Sequence, residues 1–205
     1  INSPVVVGFG PAGMFASLLL ARAGAKPIVL ERGKAVEDRQ ADINKFFETG
    51  VLNTESNVQF GEGGAGTFSD GKLTTNTKDF RHSFILKTFV EFGAPEEILY
   101  EAKAHIGTDY LIKVVKNIRE EVIRLGGIVL FDSKMTEVIS ENGTLTGVKY
   151  ISNGAEKEIK TNSLILAIGH SARDTFYALK EQNIKMEQKP FAMGVRIEHK
   201  QDFIS

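Results

Sequence analysis

The sequence has no cysteine among its 205 residues. Within these residues that excludes disulfides, a cysteine-ligated zinc and a redox-active thiol pair. Any electron transfer by this segment therefore needs an organic cofactor. No stretch approaches the ~18–20 continuous apolar residues of a membrane span, and no signal peptide is visible. Neither sign of charge dominates. Twenty-five Lys and Arg face 26 Asp and Glu, for a net charge of −1. No nucleic-acid partner and no membrane partner are expected on that basis, and a cytoplasmic location is. No His, Asp and Glu cluster has metal-ligand spacing, and no Ser-His-Asp arrangement is suggested. What remains is an ordinary globular composition, 42% apolar and 25% charged. The chain is long enough for one large domain. Ile1 and Ser205 read as cut ends of a longer protein.

The most informative stretch comes first. Val5-Val6-Val7 is a short apolar strand, followed at once by Gly8-Phe9-Gly10-Pro11-Ala12-Gly13. Gly-x-Gly-x-x-Gly between a strand and a helix is the dinucleotide-binding fingerprint. Gly8 serves the sharp turn out of the strand. Gly10 lets a pyrophosphate approach the backbone. Gly13 lets the helix lie close to the strand. The free N–H groups at that helix start face the phosphates. The helix is expected over Pro11–Ala23, with Pro11 in the first turn and Gly24 as its stop. A strand Pro27–Leu30 follows and ends at Glu31, placed to accept hydrogen bonds from a ribose hydroxyl pair. The competing reading is a plain βαβ unit whose glycines serve packing alone.

Further along, periodicity predicts helices over Lys34–Thr49, His82–Phe92, Pro95–Tyr100 and from a Thr108 or Asp109 cap to Leu125. Between 61 and 71 lie five glycines, which no helix interior accommodates. Ile128–Phe131 reads as a buried strand. Asn142-Gly143 and Asn153-Gly154 mark the turns of a meander through Met135–Ser140 and Leu145–Ser152. Ser163–Gly169 reads as a second buried strand. Ser171 and Asp174 have capping-box spacing for a helix to about Gln182. Phe191, Met193, Val195 and Ile197 alternate, which predicts a final strand with Gly194, Arg196 and Glu198 on its other face.

These segments together resemble the glutathione-reductase-type FAD-binding fold, in the branch with one nucleotide-binding domain. Val5–Arg32, the meander, and Thr161–Gly169 carry the resemblance; the last is similar to that fold's second FAD signature. A closer similarity is to the uncharacterised FAD-dependent dehydrogenases of bacteria. It rests on Gly61–Leu73, His105–Asp109 and Lys189–His199. One departure is that the late Gly-Asp motif of such enzymes has no counterpart here. The implied fold class is α/β: a Rossmann-like domain with a parallel sheet and an antiparallel meander insertion, then the start of a substrate domain. Its FAD-binding part would span 1–182, with an insertion at about 50–107, and the substrate domain would begin over 183–205.

The resemblance implies FAD as cofactor. Beside Gly8, Gly10, Pro11, Ala12, Gly13 and Glu31, it implies contacts from Arg32, Arg39, Gly63, Gly64, Gly66, Thr67, Ser69, Lys72, Val138, Ala167 and Gly169. Arg39 would reach the FAD phosphates or flavin, the alternative being a solvated helix arginine. The backbone of Val138 would meet adenine, the alternative being meander packing. The 61–73 loop would lie along the flavin, the alternative being a mobile surface loop. No catalytic residue stands out. Lys72, Arg196, Glu198 and His199 are candidates; an Arg196–Glu198 ion pair is the simpler account of two of them. His82, His105 and His170 read as helix-edge or loop residues. The function expected is an FAD-dependent dehydrogenase acting on a small molecule, with NAD(P)H as a candidate electron donor. The alternatives are an NAD(P)-dependent dehydrogenase with one dinucleotide site, and a non-catalytic or RNA-modification-related FAD protein.

Overall fold

A computed structural model describes residues 2–68, 71–73, 78–101, 105–191, 193–195 and 197–204. Its centre is a parallel sheet in the order β3-β2-β1-β7, formed by Ile28–Leu30 (β2), Val5–Val7 (β1), Ile128–Leu130 (β3) and Leu164–Leu166 (β7). The register is simple: Val5, Val6 and Val7 pair with Ile28, Val29 and Leu30 on one side and with Leu164, Ile165 and Leu166 on the other. Parallel strands need crossovers, and the first crossover is helix α1, Pro11–Arg22.

The alternation of β1 splits the core into two layers. Val6 faces the helices and joins Phe9, Met14, Leu18, Val29, Val114 and Ile118. Val5 and Val7 face the opposite way and join Leu30, Met135, Val148, Tyr150 and Leu179. Helix α4, Thr108–Arg124, covers the first face. Its buried Leu111, Val114, Val115, Ile118 and Val122 follow the helical period. The second face is covered by a three-stranded antiparallel sheet, β4 (Ser133–Glu141), β5 (Thr144–Ser152) and β6 (Ala155–Lys160), with helix α5, Arg173–Glu181. Asn142-Gly143 and Asn153-Gly154 form its two-residue turns. Their φ angles of 50° and 77°, and of 52° and 73°, suit the turn that matches strand twist.

Helices α2 (Val36–Thr49) and α3 (Arg81–Glu91) lie in the segment between β2 and α4. Two 3₁₀ turns, Ala65–Phe68 and Glu96–Leu99, complete it.

Four expectations are corrected. The strands at Ile128 and Leu164 are sheet edges, so they are not fully buried: Ile128 is 50% exposed and Leu166 40%. An apolar run cannot by itself distinguish a central strand from an edge. Helix α4 starts after Gly107 (φ 83°), and no side chain caps it, neither Thr108 nor Asp109. Helix α5 starts after Ala172, and Ser171 and Asp174 form no capping box. Arg32 binds Asp174 instead. Finally, the described residues of 189–199 form no strand. The alternating Phe191, Met193, Val195 and Ile197 are 67–85% exposed, with no neighbouring strand to pair with. A short helix α6, Gln201–Ile204, follows them.

Candidate functional site

A cleft of about 580 Å³ opens at the C-terminal ends of β1, β2 and β7. Ligands of open α/β sheets bind at that edge. The fingerprint glycines divide their work there. A Cβ on Gly13 would overlap the Gly8 carbonyl, and one on Gly8 (φ 95°) would overlap the Ala167 carbonyl. Both are glycine because β1, α1 and β7 pack too closely for a side chain. A Cβ on Gly10 would meet nothing nearer than 3.7 Å, the Gly64 Cα, within the protein. Gly10 lines the cleft and is the N-cap of α1, and no side chain caps that helix. The bare helix start beside an uncrowded glycine fits a phosphate. Pro11 and Ala12 line the same wall.

Glu31 lines the cleft although it is 4% exposed. Its Oε2 accepts the Phe9 N–H at 2.7 Å and its Oε1 accepts the Gly33 N–H at 2.8 Å. Two backbone donors thus fix the carboxylate and ease its burial. Each carboxylate oxygen keeps a lone pair for a ribose hydroxyl.

Arg32 is the hub of an ion network beside it. Its guanidinium binds both Asp174 oxygens at 2.9 Å and reaches Glu55 Oε2. Lys134 binds Glu55 at 3.0 Å. The guanidinium also lies 4.2 Å from the centroid of the Phe60 ring. Four segments distant in sequence are tied together at this end of the cleft. Arg32 holds the Asp174 carboxylate down to about 2, against the opposing effect of burial.

Arg39 is neither solvated nor on the cleft surface. It is fully buried, and its guanidinium donates to five carbonyls: Asn57, Val58, Gly61, Glu62 and Gly64. Burial pulls its pKa down to about 10 against the charges of Glu31 and Glu62. The arginine is the internal scaffold of the glycine-rich loop. An i-to-i+3 sequence pattern gives no sign of such a cage, because its acceptors are all main-chain carbonyls.

That loop is a partition between two spaces. Gly61, Gly64 and Ala65 line the nucleotide-sized cleft. Gly63, Gly66, Thr67 and Lys72 line a separate apolar cavity of about 670 Å³. Pro11 and Ala12 line both. Ser69 and Arg196 lie outside the described residues. Ala167 and Gly169 line the cleft at the end of β7.

The Val138 expectation is corrected. Its N–H donates to Gln182 Oε1 at 3.0 Å, and its carbonyl accepts from Gln182 Nε2 at 2.8 Å. The meander residues lining the cleft are Ser133, Lys134 and Met135, earlier on β4. A bulge between Met135 and Glu137 shifts the register there, which residue spacing alone does not reveal.

Sequence reasoning read His170 as a helix-edge or loop residue and Ser171 as a cap, and passed over Thr175; all three line the cleft beyond β7. Their signal was positional: each follows a strand end at the functional edge of the sheet. Glu198 and His199 lie in the exposed tail, where the His199 ring sits 5.0 Å from that of Phe203. Among the described residues, no group of His, Asp and Glu could hold a metal ion. Among the same residues, no helix is long and apolar enough to cross a membrane.

Residues 2–201 match the pyridine nucleotide-disulphide oxidoreductase family. An uncharacterized protein of Clostridium beijerinckii is 58% identical over 202 residues. That alignment covers 98% of this chain and 37% of the relative, so the chain spans well under half of the longer protein's length. Among solved structures, Thermovibrio ammonificans THI4 superposes with a TM-score of 0.58 at 16% identity, covering 90% of this chain and 64% of that one. Mycobacterium smegmatis Sdh1 in complex with UQ1 gives 0.51 at 14% identity, covering 81% and 33%. At such identities these two structures speak to the fold alone. The α/β architecture and the match over nearly the whole chain lead to one conclusion: the chain belongs to the pyridine nucleotide-disulphide oxidoreductase family, although none of its 205 residues is a cysteine.

Proposed function

We propose that this chain is the FAD-binding part of a flavin-dependent dehydrogenase. The carrying observation is that two spaces of different character adjoin, with Pro11 and Ala12 lining both. On one side lies the cleft with the fixed Glu31 carboxylate, and on the other the apolar cavity beyond the glycine-rich partition. A dinucleotide with a hydrogen-bonding adenosine end and a large apolar ring end matches that sequence of environments. Glu31 would hold the adenosine ribose, Gly10 and the start of α1 the pyrophosphate, and Gly63, Gly64, Gly66, Thr67 and Lys72 the flavin half. Arg39 acts one step back, by shaping the loop. FAD, when bound, supplies two-electron redox chemistry, and the protein supplies orientation, electrostatics and exclusion of water.

The same reading takes a small-molecule substrate, with NAD(P)H as a candidate electron donor, and no nucleic acid. It places residues 183–205 at the start of a second domain and the protein in the cytoplasm, both on the resemblance to bacterial FAD-dependent dehydrogenases. The test is the full-length protein. It should purify yellow, with the absorbance bands of oxidised flavin, and release FAD on denaturation. Colourless protein that cannot be reconstituted with FAD would overturn the proposal. NADH-induced thermal stabilisation of such colourless protein would point to the single-site NAD-dependent dehydrogenase instead.

A further inference from the structure

Between Gly61 and Gly66 the glycine-rich loop carries one charged residue, Glu62. A carboxylate in such a turn ordinarily faces water. Glu62 is instead 0% exposed and lines neither the cleft nor the apolar cavity. Its bonds run to the two helices behind the loop. Oε2 accepts the Val36 N–H of α2 and Nη1–H of Arg119 on α4, both at 2.8 Å. The N-cap residue of α2 is Ala35, which has no side-chain acceptor, so Glu62 satisfies the open start of that helix from outside. The main chain of Glu62 is held as well. Its N–H donates to the Lys34 carbonyl at 3.1 Å, and its carbonyl accepts from Arg39 Nη1 at 2.7 Å.

The next two residues meet the fingerprint turn. The Gly63 N–H donates to the Phe9 carbonyl at 2.8 Å. A Cβ on Gly64 would lie 3.3 Å from the Gly10 Cα and 3.1 Å from the Pro11 Cδ. Phe9 is committed at both main-chain groups, since its N–H goes to Glu31. Through one buried carboxylate, α2 and α4 thus fix the part of the loop that touches Phe9, Gly10 and Pro11. An oxygen that takes two donors, one of them a cation, is served best by a charged acceptor; an amide oxygen of the same shape holds them more weakly.

We propose that Glu62 is a positioning residue of the nucleotide site: it sets how closely Gly63 and Gly64 sit against the fingerprint turn, and so governs the hold on the half of a dinucleotide that extends past its ADP part. The proposal rests on the flavoprotein reading for the identity of that dinucleotide, and not for the geometry of the loop.

The experiment uses full-length protein freed of cofactor, with ADP and FAD as probes. ADP reports on the Glu31 and Gly10 side alone; FAD reports on the loop as well. Glu62→Gln should weaken FAD at least fivefold and ADP less than twofold. Hydrogen exchange of the Gly63 amide should quicken at least tenfold, while that of Gly33, bonded to Glu31, stays the same. Arg119→Gln, at the other end of the pair, should do likewise and serves if Glu62→Gln does not fold. The double variant should be no worse than the more affected single one, as for two residues acting through one contact. Val122→Ala, in the buried face of α4, should lower the melting temperature and leave the ratio of FAD to ADP affinity unchanged. Equal weakening of FAD and ADP, unchanged Gly63 exchange, or a ratio that Val122→Ala shifts as far as Glu62→Gln would each overturn the proposal. FAD bound equally by the parent and both variants would also overturn it, and would keep the flavoprotein reading. Protein that binds ADP but takes no FAD would remove the flavoprotein reading; faster Gly63 exchange in the variants, with NADH weakened relative to ADP, would then keep the role of Glu62.

Discussion

Gly10 and Gly13 sit in one motif yet should fail differently when each gains a methyl group. Gly13→Ala drives a Cβ into the Gly8 carbonyl, and backbone there cannot give way without separating α1 from β1. It should cost roughly 3 kcal/mol or more, as overpacking against backbone does, and be seen as a large fall in melting temperature. Gly10→Ala meets only ordinary contact at 3.7 Å, and the backbone is at φ −75°, which alanine accepts. Its stability without ligand should stay within about 0.5 kcal/mol of the parent, while FAD affinity falls tenfold or more. Equal loss of stability in both variants would refute this division of roles. Arg39 gives a second contrast. Arg39→Met removes the partner of five buried carbonyl bonds and should destabilise the fold by roughly 2–4 kcal/mol. Arg39→Lys should recover only part, because an ammonium has three donors and no planar fork. Chemical denaturation of both variants checks this. The place of Glu31 at the cleft was legible from the sequence because it follows from position after a strand. Arg39 was legible only as a position that the resemblance singled out, and not in its role, since a cage of carbonyls has no residue signature.

At the scale of elements, the junction of α2 and α4 carries a buried charge cluster. Glu62 is fully buried. Its Oε2 accepts from the Val36 N–H and from Arg119, both at 2.8 Å, and its Oε1 has no partner among the described residues. Burial pushes this carboxyl up to about 7, while Val36 and Arg119 resist. A folded pKa above the unfolded value of 4.5 means that the folded state holds the proton more tightly. The contribution of Glu62 to stability is therefore greatest below pH 4.5 and declines as the pH rises towards 7, by roughly 2–4 kcal/mol. Glu37 behaves oppositely. Its hydrogen bond to Arg119 holds it down to about 2, so its stabilisation is present above the ordinary carboxylate range and is lost as the pH falls towards 2. The parent should melt at its highest temperature near pH 5. Glu62→Gln, neutral throughout, should flatten the decline between pH 5 and 8 when melting is followed across that range. A parent whose melting temperature rises over the same interval more than that of the variant would contradict it. Helices and hairpins here were well signalled, because periodicity and Asn-Gly turns are local. Sheet edges, helix caps and the Val138–Gln182 pair depend on which segments meet, and local pattern carries no information about that.

At the scale of the molecule, one region stands apart from the two-layer core. Phe191, Met193, Val195, Ile197, Phe203 and Ile204 are 65–85% exposed, and all six lie in the tail beyond α5. Leaving that much apolar surface in water is unfavourable, at about 25 cal/mol per Å². A run of exposed apolar side chains of this kind normally faces a partner or the remainder of its own chain. The alternation that predicted a strand over 191–197 is intact in the sequence, and what the described structure lacks is a strand beside it. Because the chain spans 37% of its Clostridium relative, the missing neighbour is expected in the remaining length. In the full-length protein, the amides of 193–195 should exchange at least a hundredfold more slowly than in the 205-residue segment alone. Val195→Asp should lower the melting temperature of the full-length protein by several degrees and leave that of the segment within a degree. Exchange at the same rate in both proteins would show that the alternating stretch is not a strand in either.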